Sequence, residues 1–231
     1  MLFKKRIELP SVPALPAAEI DWKAVDFVGT NPAEGLAQLK VLQMEGCDPQ
    51  HRVLEVGCGA LIAGFPTMNY LNKGNYVGLD PNKWLIEASM KSALVTKTIK
   101  EKDAKFLYND QFDGSDFAPY DYILSHSILS HTSFDQLKLF FANAYKVLNK
   151  GGKAVVSIRL AEGNRFGSPG SKIADEQFTE WEYPGVSFFR KATVTREAEA
   201  AGFSIRFEEE MIRVITSVHK HSCHDWLVLT K

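Results

Sequence analysis

The sequence predicts an α/β protein built on a mainly parallel sheet covered by helices on both faces. Three observations carry that expectation. Short apolar runs that read as strands alternate with amphipathic stretches that read as helices, the order that produces parallel strands joined by crossovers. The run "RVLEV" passes straight into Gly57-Cys58-Gly59, a strand ending in a glycine turn. The chain has 231 residues, 45% of them hydrophobic and 24% charged, enough for one large domain with a full core.

In chain order, "RVLEV" (52–56) is the first strand and "FPTMNYLN" (65–72) the first helix. Pro66 is tolerated in its first turn and Gly74 lies just beyond its end. "YVGLD" (76–80) is a second strand, "NKWLIEASMKSALVTK" (82–97) a second helix, and "KFLYND" (105–110) and "YDYILS" (120–125) two more strands. Leu137, Phe140, Phe141, Ala144, Tyr145 and Leu148 then follow helical spacing, with Ser133 and Gln136 as a capping box and Gly151 as a stop. "KAVVSIR" (153–159) is a strand, and Thr195–Ala201 is a helix closed by Gly202. "FSIRFEEEM" and "DWLVLTK" read as two final strands.

Two segments stand outside this alternation. Residues 1–34, with prolines at 10, 13 and 16, read as an extended N-terminal arm and the start of a cap, leaving 35–231 as the main domain. Residues 161–189 form one long loop whose length suggests a lid or substrate cap, with a short helix around Asp175–Trp181. It carries Phe166, Phe178, Trp181, Tyr183, Phe188 and Phe189 beside Arg165, followed by Arg190 and Lys191. Those aromatics serve either a core or a cap over an acceptor with an apolar body and an acidic group.

The formal charge of −1 and the absence of a long basic stripe argue against nucleic acid or an anionic membrane as partner. Cys47, Cys58 and Cys223 are too few and too scattered for a disulfide framework. The basic start is followed by no apolar run, so neither a signal peptide nor a membrane span is expected, and a cytoplasmic setting follows.

Ligands of open parallel sheets sit at the carboxyl ends of the strands. The residues to watch are therefore Gly57 to Leu61, Asp80, Asn109 and Asp110, Ser125 to His131, and the loop after Arg159. Gly57 and Gly59 let the backbone turn and approach a ligand closely. A dinucleotide fingerprint needs glycine at 62, where Ile62 stands. Asp80 is placed to accept from ribose hydroxyls and also to cap the following helix; Asp110 is placed for an adenine amino group or for a solvated turn. Cys58 reads as a small packed residue.

Together these segments resemble the class I S-adenosylmethionine-dependent methyltransferases, from about residue 36 to the C-terminus. "VLEVGCG" matches their first motif, "YVGLD" the second, "FLYND" the third, and "YDYILSHSILSHTS" with "LFFANAYKVLNKGGKAVVS" the fourth and fifth. The departure is Leu61, where many members have a third glycine; Gly64 is the nearest stand-in. The resemblance implies a Rossmann-like three-layer sandwich, a seven-stranded sheet with an antiparallel last strand, and S-adenosyl-L-methionine as cofactor. It implies Glu55, Gly57, Cys58, Gly59, Asp80, Pro81, Asn109, Asp110 and Ser125 around that cofactor.

His131 and His126 follow the fourth strand and are the candidate bases; His131 is preferred because it precedes a capped helix. Each has the alternative of a bond to a loop carbonyl. "HKHSCH", with His219, His221, Cys223 and His224, joins the last two strands and reads as an exposed turn, then as a substrate contact, then as a metal site; no metal is expected. No D-P-P-Y or N-P-P-Y follows the fourth strand, no Pro-Cys nucleophile is present, and no carboxylate ends that strand. A small-molecule acceptor methylated at oxygen or nitrogen is therefore expected. The alternatives are a non-catalytic S-adenosylmethionine-binding regulator and a dinucleotide-dependent oxidoreductase.

Overall fold

The computed structural model describes residues 8–29, 31–166, 185–220 and 222–231. The expected helix around Asp175–Trp181, with Phe178, Trp181, Tyr183 and His221, lies outside them.

The sheet has the order β3-β2-β1-β4-β5-β9-β8. Its strands are β1 (Val53–Val56), β2 (Tyr76–Leu79), β3 (Lys105–Leu107), β4 (Tyr120–Ser125), β5 (Leu148–Ile158), β8 (Ser204–Phe207) and β9 (Asp225–Thr230). β1 pairs in parallel with β2 and β4, and β4 with β5, while β9 runs antiparallel to both β5 and β8. The expected seven-stranded sheet with one reversed strand is borne out. β6 (Arg165–Phe166) and β7 (Ser187–Phe188) make a separate small ribbon.

Pleat alternation sorts the core into two layers. Val53, Tyr122, Leu124, Val155, Trp226 and Val228 face one cluster, shared with α2 (Glu34–Met44), α3 (Gly64–Tyr70) and α8 (Glu209–Val218). Leu54, Val56, Ile123, Val156 and Leu227 face the other, shared with α6 (Phe134–Val147) and α7 (Lys191–Ala200). Glu55 is thereby placed on the same face as Val53, inside an apolar layer. At α6 the predicted capping box is present: Gln136 N donates to Ser133 Oγ at 3.1 Å and Ser133 N to Gln136 Oε1 at 3.0 Å.

Three expectations are corrected. The arm is not extended throughout: a 3₁₀ turn (Ala17–Glu19) leads to α1 (Trp22–Val28), opened by Asp21 accepting from Ala24 N and closed by Gly29 at φ 63°. Ser92 Oγ donates to Glu19 Oε2 at 2.5 Å and Lys91 pairs with Asp21 at 3.2 Å, clipping the arm to the body. The helix expected over 82–97 is two helices, α4 (Lys83–Ser89) and α5 (Ala93–Lys102). Ser92 divides them, because its side chain accepts from Val95 N and starts a new helix. The last two strands are not joined by "HKHSCH" alone, since α8 stands between them.

Candidate active site

A cavity of about 450 Å³ opens at the carboxyl ends of β1, β2 and β4. Of the residues singled out in the sequence, it is lined by Glu55, Gly57, Cys58, Gly59, Asp80, Pro81, Asp110, His126 and His131. Asn109 and Ser125 are not brought to it. Asn109 folds onto its own turn, its Oδ1 accepting from Gln111 N and Asp113 N. Ser125 follows the pleat to the α6 face with Ile123 and is fully buried.

The glycine loop is held from inside. Gly57 N and Cys58 N donate to Leu79 O at 2.7 and 3.2 Å, and Gly59 N donates to Asp80 Oδ2 at 3.0 Å. Asp80 Oδ1 accepts from Asn82 N at 2.8 Å. Both Asp80 oxygens thus hold backbone donors and keep a second acceptor position each. Burial raises the Asp80 pKa, against those two bonds. A Cβ on Gly57, at φ 79°, would lie 2.0 Å from Ile128 Cδ1, so this glycine makes room for Ile128. Leu61 itself takes φ 57°; the backbone keeps a glycine conformation with a fully buried leucine on it. Gly64 is no stand-in, because it begins α3 and its missing Cβ leaves space for the Tyr76 hydroxyl.

Glu55 accepts from Tyr76 Oη at 2.7 Å. Burial pushes its carboxyl up to about 8, the Tyr76 bond opposing and the Asp80 charge adding. Burial also carries the Cys58 thiol well above its usual range, so it is no nucleophile. Asp110 lies at the exposed rim, accepting from Gln111 Nε2 at 2.7 Å.

The two histidines after β4 occupy different settings. His131 Nδ1 donates to Gly185 O at 2.8 Å, so the neutral ring carries its lone pair on Nε2. The loop-carbonyl alternative is the one the geometry meets, at Nδ1. The ring is held by the segment before β7 and not by the helix cap: Ser187 Oγ also donates to Thr132 O at 2.5 Å. Burial lowers the His131 pKa against the Gly185 bond, and the Arg159 charge lowers it further.

His126 is buried, stacked on Trp226 with ring centroids 5.3 Å apart and edge-on to His224 at 5.1 Å. Its Nε2 lies 3.5 Å from Glu34 Oε2. Burial, with the His219 charge, brings its pKa down to about 4. Glu34 opens α2 and is 2% exposed; its Oε1 meets His219 Nδ1 in a short hydrogen bond. Burial raises the Glu34 pKa, and His219 opposes that. Ser130 Oγ and His224 Nε2 are 3.2 Å apart. His219 and His224 are thus half-buried and tied to Glu34, His126 and Ser130, and neither lines the cavity. Among the described residues no group of His, Cys, Asp and Glu is arranged to hold a metal ion.

The cavity also uses residues not foreseen: Phe27 and Val28 from α1, Gln38 from α2, and Phe112. For α1 a signal exists, since Asp21 and Gly29 bracket "WKAVDFV" with cap residues at both ends. For Gln38 and Glu34 none does, because both are set by tertiary contacts.

Solved structures resemble this fold at low identity. The S-adenosylmethionine-dependent methyltransferase SibL matches with a TM-score of 0.57 at 16% identity, over 86% of this chain and 55% of SibL, so this chain spans about half of that protein. The magnesium protoporphyrin IX methyltransferase ChlM from Synechocystis PCC 6803, with bound S-adenosylmethionine, matches with 0.58 at 13% identity over 90% and 82%. The glycopeptide N-methyltransferase MtfA, complexed with S-adenosyl-L-homocysteine, matches with 0.58 at 13% identity over 85% and 88%. No curated protein matches the chain. A family model described as a methyltransferase domain matches residues 30–206, which span the glycine loop, Asp80, Asp110 and both histidines, and the chain belongs to that methyltransferase family.

Proposed function

We propose that this protein transfers a methyl group from S-adenosyl-L-methionine to a small-molecule acceptor, at oxygen or nitrogen. The observation that carries this reading is the wiring of the glycine loop. All three amides from Gly57 to Gly59 are used within the chain, so none remains to cradle a pyrophosphate. The same wall carries Asp80 and Asp110, acceptors that suit ribose hydroxyls and an amino group and that repel phosphates, beside the buried Glu55. The cofactor, when bound, supplies an electrophilic methyl on a sulfonium. Asp80 would hold the ribose and Asp110 the adenine amino group. The chain's remaining tasks are to align the acceptor and to take its proton. His131 is the base we assign, since its tautomer is fixed by Gly185 and it lines the cavity; His126 stands second. Residues 35–231 are then the catalytic domain, and the insertion 161–189 its acceptor side.

Calorimetry tests the cofactor. S-adenosylhomocysteine should bind and NAD should not. Asp80→Ala should weaken that binding by about 1.5–3 kcal/mol, the range for charged hydrogen bonds. Tight NAD binding without S-adenosylhomocysteine binding would overturn the reading. Once a labelled-cofactor screen yields an acceptor, His131→Ala should lower turnover by about 10²–10⁴-fold with cofactor affinity nearly unchanged. Because the His131 pKa is lowered from 6.5, the rate should fall only on the acid side of that value. A flat acid limb with a fully active variant would remove His131 from this role.

A further inference from the structure

Two arginines, Arg159 and Arg165, meet no carboxylate among the described residues. Arg159 follows β5 and Arg165 lies in β6. Both guanidinium groups sit over the ring of Phe188, at 5.8 and 4.0 Å from its centroid. The backbone fixes this: Arg165 pairs with Phe188 in the ribbon, and Phe189 N donates to Arg159 O at 3.0 Å. Both Nε atoms are buried and make no hydrogen bond among the described residues, and no described carboxylate lies within ion-pairing distance of either. Ser187, the neighbour of Phe188, donates to Thr132 O at 2.5 Å, and Thr132 lines the cavity, so this group stands behind that wall rather than in the lining itself.

Two like charges sharing one ring, with desolvated donors left unpaired, form a costly arrangement. The ring faces offset a part of that cost. A bound oxyanion would offset the rest, because a guanidinium fork matches a carboxylate or phosphate in shape and charge. The cofactor wall has the opposite character, with Asp80 and Asp110.

We propose that Arg159 and Arg165 form an oxyanion subsite that selects an anionic small molecule as methyl acceptor. This rests on the methyltransferase reading above and adds the class of its substrate. The test uses the full chain loaded with S-adenosylhomocysteine and two probes of one shape, benzoate and benzamide, titrated by NMR or calorimetry. Benzoate should bind at least about tenfold more tightly, the worth of one charge-assisted hydrogen-bonded pair. Arg159→Gln and Arg165→Gln should each remove most of that preference. Arg159→Lys, which keeps the charge and loses the fork, should retain part of it. Circular dichroism and S-adenosylhomocysteine affinity control for folding, and the lysine variant keeps the test valid where a glutamine variant fails to fold. Failure of wild type to bind S-adenosylhomocysteine would remove the underlying reading. Normal S-adenosylhomocysteine binding with no preference for benzoate, or a preference that survives in the arginine variants, would overturn the subsite alone.

Discussion

At the scale of single residues, Leu61 shows how a motif survives the loss of its residue. The loop still takes the left-handed turn at this position, with φ 57°, and a leucine pays a strain of about 1–2 kcal/mol there. What holds it is burial: its side chain is fully enclosed and reaches within van der Waals distance of the space over Gly64. Leu61→Gly should relieve the strain but lose the buried side chain, a cost of about 2–5 kcal/mol for removing a leucine side chain. Net destabilisation of up to about 4 kcal/mol is expected, read by urea denaturation. A gain in stability would mean that backbone strain, not packing, dominates the loop. The sequence shows the missing glycine but not the outcome, because the φ angle at Leu61 depends on what surrounds its side chain.

At the scale of elements, the strands and most helices were legible because each carries its own periodicity and punctuation. The capping box of α6 and the strand-glycine junction at Gly57 are local signals, and both were read correctly. The strand expected over "FSIRFEEEM" runs only to Phe207, and α8 (Glu209–Val218) takes its last three residues and the stretch after them, although Met211, Val214, Ile215 and Val218 follow helical spacing. The Glu34 network was illegible because its members lie on elements far apart in the chain, joined only where α2 meets α8 and β4 ends. Glu34 is enclosed while the His219 side chain is 31% exposed. Removing the carboxylate leaves His219 and His126 without it inside the fold, whereas removing His219 leaves Glu34 free to take up a proton. Glu34→Ala should therefore destabilise the protein by about 1–3 kcal/mol, and by more than His219→Ala, in parallel urea melts. Equal effects would show that the pair acts as an ordinary surface ion pair.

At the scale of the whole molecule, the buried titratable groups on the α2, α3 and α8 face make stability depend on pH in opposing ways. Glu55 has its pKa raised from 4.5 to about 8, so the native state holds a proton that the unfolded chain has released. Its contribution is complete below 4.5 and is lost as pH rises through about 8. Glu34 and Asp80, also raised by burial, carry the same sign. His126, lowered from 6.5 to about 4, and His224, also lowered by burial, act in reverse: their contribution is present above 6.5 and is lost as pH falls. The opposing slopes meet between 4.5 and 6.5. The histidine contribution is half gained at 6.5 and levels off about one pH unit higher, and from there Glu55 is left with a falling slope of up to about 1.4 kcal/mol per pH unit. Unfolding free energy measured in urea at several pH values from about 7.5 to 8.5 should therefore decline in the wild type. Glu55→Gln removes the titrating proton while keeping an acceptor for Tyr76 Oη, so its curve should be flatter by that amount over the same window. Parallel curves for the two proteins would mean that Glu55 is already ionised in the folded state. The carboxylate would then face the cavity as a fixed negative charge, and the positive end of a bound cofactor would find it ready.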